Sequence, residues 1–528
     1  MKRTAAVCLG LMMLGPCIDV RAEIVQGQLE LLWGDPVPAP PKSRLPARFV
    51  ATLVADDGSR RVLDTVQARR AAFDLYALAN RRVAIEFSTP RSGARSRIEA
   101  IVAADRTALP TSAKALVTPA AVLGNTRWIT IACKFNDIAD EQKPVTFFNG
   151  QYGNAPGQLG HYWQEVSYGK VNLTGSNAYG WFTLPQPRAY YFSTVDGEEK
   201  ANLGDLFKDC TGAADAEVNF AGAQGINMMF NGDLDGYAWG GGRSAALDGP
   251  SRGWSTTWNP PWAFNNLAPL AHEMGHGYGL PHSDNSDGDD DPYDNPWDVM
   301  SDAWSNAVRD ATYGMLPKHL NIRQRHRLGW VDAARQLVVP AGSSAYDLVL
   351  DRASLAGSGN RQMILLAPPL VTGAPGVGAN GVVQYTVEVR KRLAGSGTGI
   401  YESDLAGDAV IIHGLDAGGT AFSMDASQPP ADVANNEGSM FKVGETWISA
   451  DGTRKVTVVS QTAEGFVVRI GDPRFTGGRQ GARVRKASQA SPARIAPAAA
   501  AVPRRRPAVG CVEPRSTSGA ADCRQQAR

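Results

Sequence analysis

A central α/β (α+β) domain flanked by two β-rich modules is the fold class that this 528-residue sequence predicts. Three observations carry it. Between residues 23 and 115, apolar residues alternate at period two in Q-L-E-L-L-W, R-F-V-A-T-L-V, R-R-V-A-I-E-F and S-R-I-E-A-I-V, the repeat of half-buried strands. Between 116 and 335, helix-like and strand-like patches alternate, which indicates α/β layering. From 336 to 472, six or more short apolar runs such as V-V-Q-Y-T-V-E-V and F-V-V-R-I are separated by Gly, Asn and Ser, as in a β-sandwich.

Residues 1–22 carry Lys2 and Arg3, an apolar run from Ala5 to Pro16, and V-R-A ending at Ala22. That order reads as a secretory signal cleaved after Ala22, its apolar core too short to span a bilayer. Pro16 makes Cys17 a poor lipidation site. No later stretch reaches eighteen uninterrupted apolar residues, so a soluble, exported monomer is expected, extracellular or periplasmic, with no integral membrane segment. The formal net charge of +1 conceals a basic tail, so the rest of the chain is net acidic and gives no basis for nucleic-acid binding.

The module over 23–115 predicts a small β-barrel or sandwich, with Asp56-Asp57-Gly58 and Pro90 as turns. It reads as either a pro-domain or a permanent accessory module. It contains no cysteine, which excludes latency by a metal-bound thiolate.

In the 116–335 domain, W-I-T-I-A-C-K-F and G-I-N-M-M-F read as buried strands, and 158–168 and 201–210 as helices. Removing the signal leaves Cys133, Cys210, Cys511 and Cys523, an even number in an oxidising compartment. Three pairings are open. Cys133–Cys210 with Cys511–Cys523 is the one that respects domain boundaries.

The chemistry concentrates in A-H-E-M-G-H-G-Y-G-L-P-H, residues 271–282. His272 and His276 are four apart and share one helix face, where both imidazoles can reach one ion. Glu273 sits beside that ion as a base that is not a ligand. Gly277 and Gly279 break the helix and let Pro281 and His282 return a third imidazole. Three ligands with an open fourth position describe a catalytic zinc site. Three of the chain's seven histidines fall in the eleven residues 272–282; His161, His319, His326 and His413 lack ligand spacing. Asn265 is the expected cap of the motif helix.

These residues resemble the metzincin clan of zinc endopeptidases, whose signature H-E-x-x-H-x-x-G-x-x-H is followed by a methionine turn. Met300 in D-N-P-W-D-V-M-S is the candidate for that turn, an apolar floor rather than a ligand. Within the clan the chain is similar to immune inhibitor A-type and gametolysin-type secreted peptidases, through H-Y-W-Q-E-V-S-Y-G-K-V-N-L-T-G from His161, G-W-F-T-L-P-Q-P from Gly180, R-L-G-W from Arg327, V-E-V-R-K-R from Val387 and A-V-I-I-H-G-L-D from Ala409. The resemblance runs from about Thr126 to Gly471. It implies a metzincin-like catalytic domain, a following β domain, zinc as cofactor, and proteins or peptides as substrates. Where some clan members place a tyrosine ligand two residues after the methionine, this chain has Asp302. It also implies that Y-A-W-G-G-G, 237–242, is a sheet edge to which an extended substrate adds as one more strand.

Two acidic segments raise calcium. Asn231 to Gly236 matches half of a calcium loop, but its twelfth position is Gly242; it reads as a turn or a metal loop. Asp284, Asp287, Asp289, Asp290, Asp291, Asp294 and Asp298 crowd between His282 and Met300, giving either a structural Ca2+ site or a solvated loop. Residues 473–528 turn to Arg, Ala, Pro and Ser and predict a disordered basic tail.

The expectation is therefore an exported zinc metalloendopeptidase with Glu273 as catalytic base and His272, His276 and His282 on the metal. A non-catalytic surface-binding protein with a relic site, or a metallohydrolase of a non-protein amide, is the alternative.

Overall fold

A computed structural model describes residues 23–40, 43–72, 74–88, 96–104, 119–289, 291–340, 343–367, 382–393, 399–416, 418–426, 437–450, 452–471 and 483–486. Residues 1–22, expected to be a signal peptide, Asp290, Cys511, Cys523 and all of the basic tail except 483–486 lie outside them. The described chain is mixed α/β, with many strands and few helices.

The first strand, β1 (Glu23–Pro36), is fourteen residues long and serves two layers. Its first part pairs antiparallel with β2 (Arg48–Ala55) and β4 (Arg82–Phe87). The hairpin partners β3 (Arg60–Leu63) and β5 (Ile98–Ala103) complete that layer. Period two sends Leu29, Leu31 and Trp33 to one face, where they join Leu53, Val83 and Ile85 in a core of their own. Helix Thr65–Ala71 covers this core, its first turn capped by Asp64, which accepts from the Gln67 N–H.

The central sheet continues from β1 through β6 (Trp128–Lys134), β7 (Asn177–Thr183), β8 (Gly225–Phe230), β9 (Tyr237–Ala245) and β10 (Arg252–Asn259). The spatial order is β3-β2-β1-β9-β10-β8-β6-β7. Pairs β10–β8, β8–β6 and β6–β7 are parallel, whereas β1–β9 and β9–β10 are antiparallel. β6 and β8 are buried on both faces, which explains why they read as unbroken apolar runs. Trp128 and Ala132 face one core, together with helices Leu159–Val166 and Leu267–Gly277. Ile129, Ile131 and Cys133 face the other, against helix Leu203–Ala214. Across that second core Cys133 is bonded to Cys210.

The expectation that 237–242 forms a free sheet edge is corrected here. β9 lies between β10 and β1, and Leu32 to Pro36 of β1 pair with Gly241 to Tyr237. The edge is filled by the chain's own N-terminal strand, a long-range pairing that the sequence around residue 240 does not announce.

Further on, a six-stranded sheet (containing Val382–Arg390 and Ala409–Asp416) and a five-stranded sheet (containing Glu445–Ile448 and Gly465–Gly471) share one core of Val387, Ile412, Trp447, Val458 and Val468. Residues 483–486 of the basic segment, expected to be disordered, pair in parallel with Glu445–Ile448. Main-chain pairing on an open strand edge needs no apolar side chains. Among the described residues no helix is long and apolar enough to cross a membrane.

Candidate metal centre

The helix Leu267–Gly277 is buried along its whole length, packed against β9 and β10. Close approach depends on Gly240: a Cβ there would lie 2.5 Å from the Glu273 carbonyl oxygen and 2.7 Å from Glu273 Oε2. Asn266, not Asn265, precedes the first turn, and its side chain does not cap it. Instead it donates to the Trp262 carbonyl and accepts from the Met315 N–H, tying the helix start to a neighbouring loop.

The helix ends as the glycines predict. Gly279 takes φ +84°, the Gly279 N–H bonds the His276 carbonyl at 2.9 Å, and the Leu280 N–H bonds the Gly275 carbonyl at 3.0 Å. This six-to-one and five-to-two pair is a Schellman closure, which requires a left-handed residue at that point. It reverses the chain and delivers His282 back beside the helix. Ser283–Asn285, directly after, pairs in parallel with Ala421–Ser423 of the six-stranded sheet. The third imidazole is thus anchored from outside the central domain.

The three expected ligands come together. His276 Nε2 lies 3.1 Å from His272 Nε2 and 3.2 Å from His282 Nε2. The other nitrogen of two of these rings is committed: His272 Nδ1 meets the Val299 carbonyl at 2.6 Å and His276 Nδ1 the Leu280 carbonyl at 2.7 Å. A carbonyl accepts only, so those Nδ1 atoms carry the protons and their Nε2 lone pairs point inward. Lone pairs converging at this distance call for a cation between them, and the carbonyl contacts are the orienting partners that metal-bound histidines use. The donor set fits a divalent metal. It does not by itself choose which.

A fourth donor was not foreseen. Asp35, near the end of β1, puts Oδ1 2.7 Å from His282 Nε2 and 3.4 Å from His272 Nε2, and Oδ2 3.3 Å from His276 Nε2. Asp35, His272, His276 and His282 can each offer one atom to a single ion. Beside Asp35, Trp33 stacks on the His276 ring at 4.6 Å with 4° between planes. Two-residue alternation puts Trp33 and Asp35 on the same face of β1, and a one-residue slip of the strand would withdraw both. Tyr293, also unforeseen, donates its hydroxyl to Asp35 Oδ1 at 2.6 Å.

Electrostatics match this crowding. Burial opposes charge on Asp35, but His282 and His272 hold its carboxyl well below the ordinary range. Burial, then the adjacent Asp35, pushes Glu273 well above it. Burial and neighbouring imidazoles bring His276 down to about 3 and lower His282. Burial also opposes charge on His272, yet Asp35 draws it upward on balance. A carboxylate among three imidazoles demands one positive charge, which a proton on His272 or a metal ion supplies. Glu273 is one residue along the helix, 1% exposed, and its Oε2 has no hydrogen-bond partner in the protein.

Met300 is buried and packs against the helix at Gly275. A Cβ on Gly275 would lie 2.4 Å from Met300 Sδ, so Gly275 makes its room. Asp298 holds the turn, accepting from the Met300 N–H at 2.9 Å, Ser283 Oγ at 3.0 Å and Asn321 Nδ2 at 2.5 Å. Arg390 of the six-stranded sheet donates to the Trp297 carbonyl and pairs with Glu402. The V-E-V-R-K-R run therefore braces the turn beneath the site.

In the acidic loop, Asp287, Asp289 and Asp294 bring carboxylates close enough to share an ion. They are also part of a ladder of main-chain hydrogen bonds: Asp294 accepts the Asn285 N–H, Asn285 that of Asp287, Asp287 that of Asp289, Asp289 that of Asp291, and Asp291 that of Tyr293, which sets the position of Tyr293. Asn231 and Asp235 belong to a turn: Asn231 bonds Phe135, Ile138 and Asp140 main-chain atoms, and Asp235 bonds Arg48 and Trp239. A cavity of about 350 Å³ opens beside His272 and Glu273, walled by Trp262, Trp304, Tyr293, Pro38 and Arg44. His319 and His413 are buried beside Glu165 and Glu388, away from the metal cluster.

No protein-family profile matches the chain, and no curated protein matches it. Two crystal structures of wild-type OgpA from Akkermansia muciniphila superpose on it at 12% and 14% identity, with TM-scores of 0.24 and 0.22. They cover 58% and 60% of this chain and 94% and 96% of theirs. At these TM-scores the likeness carries no conclusion about fold or function.

Proposed function

We propose that the chain is a metal-dependent, zinc-type endopeptidase acting on exported or extracellular proteins. The observation that carries the proposal is Glu273: a buried carboxylate with an unpartnered oxygen, beside three imidazoles whose lone pairs converge. A purely structural metal site has no use for such a group. Held there, a zinc ion supplies a Lewis acid and a water of lowered pKa. Glu273 accepts the proton of the attacking water at Oε2 and passes it to the amine nitrogen as the C–N bond breaks. His272, His276 and His282 orient the ion, and the Val299 and Leu280 carbonyls fix two of the three rings. Tyr293 is placed to donate to an oxygen where Asp35 Oδ1 now lies. The cavity that Trp262 and Trp304 help to wall receives a side chain next to the scissile bond.

One observation favours a second reading. With Asp35 included the donor set numbers four, the count of a closed structural site. The test is digestion of an N-acetylated, C-amidated decapeptide. Because β1 fills the groove, it is run on the Gly34→Ala/Asp35→Ala variant: the strand loses its carboxylate and its seat on Trp239, whose ring a Cβ on Gly34 would meet at 2.8 Å. Internal cleavage that a chelator abolishes supports the peptidase. A variant that holds metal and cuts no protein or peptide returns the structural site.

A further inference from the structure

We infer that Asn321 and Gln324 are positioning residues: from one short segment they hold the chain on either side of His282, and with it the turn that carries Val299 and Met300. The inference rests on the metal-site reading above and names what sets its third ligand. Gln324 donates from Nε2 to the Pro281 carbonyl at 3.0 Å, the oxygen of the peptide bond that leads into His282. Asn321 donates from Nδ2 to Asp298 Oδ2 at 2.5 Å. Asp298 in turn accepts from Ser283 Oγ, directly after His282, and from the Met300 N–H. Its neighbour Val299 supplies the carbonyl that orients His272. Two amides on one segment thus reach two of the three imidazoles. The third, His276, is set within its own helix closure by the Leu280 carbonyl.

Burial and direction together separate this from ordinary packing. Lys318, Asn321 and Gln324 are at most 1% exposed, where apolar side chains would fill the same space without the cost of burying a polar group. What they share is where their bonds end. Lys318 donates to the Ser305 carbonyl at 2.6 Å and lies 3.7 Å from Asp302, both on the wall of the cavity. Steps of three residues therefore touch the cavity wall, the methionine turn and the ligand loop in order. The Asn321 side chain also accepts the Gln324 N–H at 2.9 Å, so the cap of helix Ile322–Arg327 sets where Gln324 stands. That helix is seated from outside the central domain. The Ile322 N–H bonds Glu388 Oε2 at 3.1 Å in the six-stranded sheet, and Arg327 pairs with Asp74 of the N-terminal layer. Both flanking modules thereby reach the metal ligands through one short helix.

The test uses the full chain and reads the metal rather than turnover. Gln324→Met keeps the length of the side chain and removes the donor, and Gln324→Leu stands in should it fold poorly. Asn321→Ser keeps a cap on the helix and removes the amide that donates to Asp298. Thr211→Val is the control, deleting a buried hydroxyl that donates to the Phe207 carbonyl at 2.8 Å on the helix of the second core. Each protein is loaded with zinc, for timed release to a chelator, and separately with cobalt(II), whose visible spectrum reports ligand geometry. Release should be about tenfold faster in the Gln324 and Asn321 variants, the size expected one step removed from a ligand, and their cobalt spectra should shift. Thr211→Val should lose stability and change neither readout. Release rates and spectra that match wild type overturn the inference. So does a Thr211→Val protein that changes both as much, because general loosening then explains them. Wild type that takes up neither metal removes the metal-site reading and the positioning role with it; wild type that loads, beside variants that hold metal equally well, removes the positioning role alone.

Discussion

Glu273→Gln should make the protein more stable and nearly inactive at once. In the folded chain Glu273 is 1% exposed, faces the like charge of Asp35, and has Oε2 without a partner. An unsatisfied buried polar atom costs about 1–3 kcal/mol. Glutamine keeps the shape, is neutral without having to take up the proton that burial and Asp35 force on Glu273, and has an N–H that can donate to Asp35. A stabilisation of about 1–3 kcal/mol is therefore expected in the wild-type background, read as a shift of the denaturant midpoint at unchanged slope. The ligands are untouched, so metal content stays at the wild-type level. Turnover of the blocked decapeptide, measured in the Gly34→Ala/Asp35→Ala background, should fall ~100-fold or more, the usual size of a general-base contribution. A variant that is less stable than wild type and keeps more than a tenth of the rate refutes the reasoning on both counts.

Other consequences follow from the same geometry. Gly279→Ala places a Cβ in a φ +84° position and against Ala79 and the Tyr76 carbonyl, at 3.2 and 3.3 Å. It should cost about 1 kcal/mol or more in stability and weaken metal binding by loosening the path to His282; unchanged metal affinity would contradict this. Reducing Cys133–Cys210, which closes 77 residues, should cost about 4 kcal/mol, and mapping that finds both thiols free in the native protein would contradict it. Asp294 is raised to about 9, first by burial, and so favours folding only while protonated. Its contribution is full below about pH 4 and is lost as pH rises toward 9. Asp294→Asn should flatten stability over that window. Calcium that restores the wild-type loop at pH 8 would identify the acidic segment as a cation site, and no effect of calcium would leave it a turn ladder.

What the sequence disclosed and what it hid divide by chain distance. His272, Glu273, His276, Gly279 and His282 lie on one helix and its closing turn, so their spacing alone encodes their convergence. Met300 follows eighteen residues later by a turn that Asp298 organises. Asp35 reaches the same point across 237 residues, through a β1–β9 register fixed by pairing at both ends of a fourteen-residue strand. Only the G-D-P triplet at 34–36 hints at it: a glycine that must pass Trp239 and a proline that ends the strand. The reading of Y-A-W-G-G-G as a free edge failed for the same reason. Its glycines do admit a close backbone, but that backbone is β1. Tyr293 was hidden inside a run of aspartates that drew attention to calcium, whereas their main-chain hydrogen bonds serve to place that tyrosine.

One metal ion held by His272, His276 and His282 underlies every role assigned above, and metal titration with mass measurement of the native protein tests it most directly. Wild type should take up one zinc per chain, and His276→Ala, whose ring lies between the other two, should bind it about a hundredfold more weakly. Wild-type protein that takes up no zinc, or a His276→Ala variant that holds it as tightly as wild type, would contradict the account.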